Sequence, residues 1–91
     1  MAVPPYCLSR AGKVFRVQRF SELVAPDRVR YVLRAVPIRH VSQGDGLEVS
    51  RELDAAVMRE MLALRQRIPT PEETFEQLWQ QLRLELDVQY G

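Results

Sequence analysis

Arg28-Val29-Arg30-Tyr31-Val32-Leu33-Arg34-Ala35-Val36-Pro37-Ile38-Arg39-His40-Val41 is the stretch on which the fold turns. Its odd positions, Val29, Tyr31, Leu33 and Ala35, form an apolar row. Period-two spacing of β-branched and aromatic residues is the mark of a strand with one face on a core. The even positions, Arg30, Val32, Arg34, Val36, Ile38 and His40, are mixed, as on a face that is half solvated or meets a partner. Pro37 has no N–H for a ladder, so the strand lies at an edge, bulges, or ends there.

Upstream, Val14 to Phe20 reads as another strand, with Phe15, Val17 and Arg19 on one face and Val14, Arg16, Gln18 and Phe20 on the other. Tyr6 to Ser9 is a candidate first strand, joined to it through the turn Arg10-Ala11-Gly12-Lys13. Ser21 to Ala25 is read as a single helical turn before Pro26. Downstream, Ser42-Gln43-Gly44-Asp45-Gly46 is a turn, and it lacks the repeated acidic ligands of a calcium loop.

After Gly46 the apolar spacing changes to three and four. Ser50 is the candidate N-cap of a helix running to about Gln66, with Leu53, Val57, Met61, Leu64 and Ile68 as its core stripe. Ala55, Met58 and Leu62 add a second apolar face, wider than one contact requires. Thr70 as N-cap, Pro71 at the first helical position and Glu73 three residues on form a capping box that opens a second helix. Its stripe is Phe75, Leu78, Trp79, Leu82 and Leu86. A connector of about four residues would pack the two helices as an antiparallel hairpin, with Trp79 buried between helices and sheet.

The expected fold is therefore α+β, a small three-stranded antiparallel sheet followed by a helical hairpin in the order β-β-β-α-α. Ninety-one residues, 46% apolar and 27% charged, suit one domain spanning 1–91, with a β-rich half at 1–46 and a helical half at 47–91. The net charge of +1 conceals a division. Arg10, Lys13, Arg16, Arg19, Arg28, Arg30, Arg34 and Arg39 make the first half +5, while the second half is −4. Twelve of the thirteen basic residues are Arg, a skew that either a surface binding carboxylate or phosphate or the composition of a GC-rich genome, expected to be bacterial, would produce.

Catalytic chemistry has little to build on. Cys7 and His40 are the only thiol and imidazole, with no nucleophile elbow around the cysteine, which is expected to be a buried or half-buried structural thiol. Glu72, Glu73 and Glu76 are explained by the first turns of a helix, where unpaired N–H groups favour negative charge. No glycine loop has phosphate-binding spacing. No enzyme activity, catalytic residue, cofactor or metal site is expected. Prolines and Arg10 interrupt the amino-terminal stretch, and no window approaches the roughly 20 apolar residues of a membrane span, so the expected compartment is the cytoplasm.

What remains is a small non-enzymatic binding module: a protein-interaction subunit, adaptor, or assembly or regulatory factor. Its partner is expected to be a protein, a second copy included as a homodimer. The alternative is a nucleic-acid-binding regulator using the arginine-rich sheet face with its interleaved aromatic residues. The candidate partner-binding residues are Arg16, Arg30, Arg34, Arg39 and His40 on the sheet and Met58 and Leu62 on the first helix.

Overall fold

The computed structural model describes residues 6–10, 12–38 and 46–90, without the side chain of Tyr6. Its elements are β1 (Tyr6–Arg10), β2 (Lys13–Ala25), β3 (Arg28–Pro37), β4 (Leu47–Asp54), α1 (Ala55–Ala63) and α2 (Pro71–Tyr90). The strands form one antiparallel sheet in the order β1-β2-β3-β4. The fold class is α+β, with four strands in place of the expected three.

β3 is central and pairs with β2 from Phe15↔Pro37 to Ala25↔Arg28 and with β4 from Arg28↔Asp54 to Ala35↔Leu47. It ends at Pro37, whose missing N–H costs the β2 ladder nothing, since the Ile38 N–H beyond it still donates to the Val14 carbonyl at 3.0 Å. Ser21 to Ala25 is not a helical turn. It continues β2 through a register shift between Leu23 and Ala25, because β3 offers an unbroken row of partners there.

The extra strand was hidden by overlapping periodicities. Leu47, Val49 and Leu53 alternate toward the core, but the third place in that row is Arg51, and Leu53 also begins the four-residue spacing Leu53, Val57, Met61. The helix therefore starts later than Ser50. Asp54 is its N-cap and accepts a hydrogen bond from the Val57 N–H at 2.8 Å. α1 closes with Arg65 at φ 58°, and the Gln66 N–H donates to the Met61 carbonyl at 2.8 Å. A left-handed residue in this place usually is glycine, so the turn is held at some cost in backbone strain.

α2 begins where the capping box puts it. The Glu73 N–H donates to Thr70 Oγ1 at 3.1 Å, and the Thr70 N–H donates back to Glu73 Oε1 at 2.9 Å. Arg67 adds a two-pronged pair to the same carboxylate at 2.5 and 2.6 Å. Hydrogen bonding from Arg67, then from the Thr70 backbone, pulls the Glu73 carboxyl down from 4.5 to about 2. A folded pKa below the unfolded one gives stability that is complete above the unfolded value and lost as pH falls toward the folded one. The wild type should therefore lose its thermal advantage over Glu73→Gln between about pH 4.5 and about pH 2, which melting curves across that window would show.

α2 lies across one face of the sheet and closes the core. Phe15, Val17, Leu33, Ala35 and Val49 supply the sheet side, and Phe75, Leu78, Leu82 and Leu86 the helix side. α2 packs on β3, β4 and β1, whereas α1 meets only β4 to any extent. The helices therefore form no clear hairpin, and the connector Leu64 to Thr70 is longer than expected. The result is elongated, 46 × 27 × 23 Å with a radius of gyration of 15.2 Å. A compact chain of this length would have a radius of about 12 Å.

Candidate interaction surfaces

The covered face of the sheet uses its charges internally. Arg10 pairs with Asp87 and Arg51 with Gln77, and Arg19 grips Glu72 with two bonds at 2.6 and 3.1 Å while its guanidinium lies 4.4 Å from the Phe75 ring centre. The Arg19 bond pulls the Glu72 carboxyl below its ordinary range. Beside this pair, Leu33, Phe75 and Trp79 line a cleft of about 200 Å³. Trp79 is half-buried there, packed against the margin of the core rather than enclosed between helices and sheet.

Among the described residues no helix covers the opposite face. Register puts Cys7, Val14, Arg16, Phe20, Glu22, Arg28, Arg30, Val32, Arg34, Val36, Glu48 and Glu52 on it. The structure thus brings the predicted Arg16, Arg30 and Arg34 onto one surface, but not into one state. Arg30 bonds Glu22 at 3.2 Å and Glu48 at 2.7 Å, and Arg34 bonds the same Glu48 at 2.8 and 3.0 Å. Arg28 sits 3.7 Å from Asp54 and 3.8 Å from Glu52. The division of charge along the sequence is largely resolved by such pairs in the fold.

Arg30 and Arg34 also flank a buried valine. Val32 is 0% exposed although, among the described residues, no helix or strand covers its face. Its neighbours there are Phe20, Arg30, Arg34 and Ser50, with the Arg34 guanidinium 5.3 Å from the Phe20 ring centre. Long apolar stems of charged side chains can seal such a site. Arg34→Ala should therefore cost about 1–2 kcal/mol, more than an exposed ion pair alone is worth, because packing over Val32 is lost with the charge. Denaturant titration would check it, and Arg34→Met should recover much of the loss.

Arg16 differs from the others: among the described residues it has no carboxylate partner. Around it at the β2–β3 end of the open face lie Val14, Val36 and Ile38, all exposed, together with Cys7. The cysteine is an exposed thiol, not a buried structural one, because its side of β1 faces away from α2. Arg39 and His40 follow Ile38 in sequence and lie outside the described residues.

The second predicted group stands at the other end of the molecule. α1 starts where the Ala55 N–H donates to the Asp27 carbonyl in the β2–β3 turn, at 3.1 Å. Every α1 residue except Arg59 and Glu60 is apolar, and none is buried. Met58 is half-buried and Leu62 is 61% exposed. The stripe assigned to the core is open as well: Leu53 is buried in β4, but Val57 and Leu64 are exposed. Val57 and Met61 border a cleft of about 410 Å³ whose other apolar walls are Leu53 and Pro69 and whose rim carries Arg51 and Arg67. Leu23, 75% exposed in β2, was missed by sequence reading, because a short run before a proline gave no face to assign it to.

Among the described residues no His, Cys, Asp and Glu are grouped as metal ligands, and no helix is long and apolar enough to cross a membrane. No family model, curated protein or solved structure matches the chain.

Proposed function

We propose that this chain is a non-enzymatic protein-interaction module whose anchor is α1. The observation that carries the reading is an almost wholly apolar helix with no buried residue, attached to a domain whose core is complete without it. A helix this short is marginal in water unless a partner covers its apolar face. Met58 and Leu62 are the central contacts, the flexible thioether of Met58 suiting a surface that must adapt. The nucleic-acid alternative draws less support, since Arg10, Arg19, Arg28, Arg30 and Arg34 already face carboxylates of the same chain.

The test compares capture from host extract by the wild type and by a Met58→Glu/Leu62→Glu variant, at low and high salt. A protein held at both salts by the wild type and lost from the variant supports the reading. Equal recovery by both proteins would refute the assignment to α1. Retention of nucleic acid that falls steeply with salt, by slightly less than one log unit per phosphate neutralised, would favour the alternative.

A further inference from the structure

The open sheet face and the outer face of α2 are complementary to each other. On the sheet, the exposed aliphatic side chains Val14, Val36 and Ile38 surround Arg16, the arginine of that face left without a carboxylate among the described residues. On α2, Leu84 is 66% and Val88 89% exposed, one helical turn apart on the side away from the core. Glu85 flanks this ridge, and no ion pair involves it among the described residues. On the other side of the ridge Arg83 lies about 100° from Leu84 and Asp87 is already paired with Arg10, so Glu85 is the carboxylate beside the ridge that is left for a partner.

We infer that a second copy of this chain lays its Leu84–Val88 ridge on the open sheet face, with its Glu85 against Arg16. A helix over an aliphatic sheet surface is the arrangement the chain already uses on its covered face. Donor ridge and acceptor face are different surfaces, so each bound copy presents a further acceptor, and the assembly grows head to tail. The patch is small and belongs at the low end of interface sizes, below about 1,200 Å² in total, so association needs high micromolar chain. The inference does not depend on α1.

Sedimentation equilibrium of the full chain between about 1 μM and 1 mM, a range matched to weak contacts, reads it directly. The wild type should rise from 10.6 kDa past the dimer mass with concentration. Arg16→Glu and Glu85→Arg should each weaken association by more than about tenfold through like charges in contact. The Arg16→Glu/Glu85→Arg double variant, and an equimolar mixture of the two single variants, should restore it. Met58→Glu/Leu62→Glu should leave it unchanged. A wild type that stays monomeric, stops at the dimer, or loses association when only α1 is altered would overturn the inference, as would failure of the charge-swapped protein to associate.

Discussion

Phe15→Ala is expected to destabilise the protein by about 3–5 kcal/mol, the largest single-site effect in the chain. The ring is 0% exposed, sits with Val17, Leu33 and Ala35 in the core, and meets Tyr90 at a centroid distance of 5.1 Å. Its neighbours across the sheet are Leu8 and Pro37, so truncation opens a void where β1, β2, β3 and the end of α2 converge. The surrounding strands are held by their ladders and cannot collapse into that space. Denaturant unfolding should show the change in midpoint with an unaltered slope.

Leu82→Ala is expected to cost about 2–5 kcal/mol, and Trp79→Ala only about 1–2 kcal/mol, although tryptophan is the larger side chain. Leu82 is fully buried at the middle of the helix–sheet interface. Trp79 is half-buried and borders an open cleft, so part of its surface already meets water in the folded state. Paired unfolding curves of the two variants decide the order. The reverse order would place Trp79 in the core and α2 in a different rotation about its axis.

The contrast between these two residues shows what could be read from the sequence. The stripe Phe75, Leu78, Leu82 and Leu86 and the capping box at Thr70 and Glu73 are local signals, fixed by spacing within one element, and both the start and the buried side of α2 follow from them. The alternation of β3 was equally legible. The limit of Trp79 burial depends on how far the sheet extends beneath it, which no spacing in α2 encodes. β4 was illegible for a different reason: Arg51 breaks its apolar row because that side chain turns to Gln77 on α2, and Leu53 fits a strand and a helix alike. Of the candidate surface residues, Arg16, Arg30 and Arg34 share one face of the sheet. Their separation into paired and unpaired arginines required Glu22 and Glu48, which come from two different strands, to be brought alongside.

The exposure of α1 was illegible for a related cause. A period of three to four says that a helix has an apolar side, but only the fold says whether anything lies against that side. Here α2 and the sheet satisfy each other, leaving α1 attached through β4 at the end of an elongated body. The central claim is that α1 is kept for contact rather than for stability. Denaturant titration of the Met58→Glu/Leu62→Glu protein tests it most directly: the account predicts an unfolding free energy within about 0.5–1 kcal/mol of wild type, as for surface substitutions, and a loss of about 3 kcal/mol or more would make both residues core and contradict it.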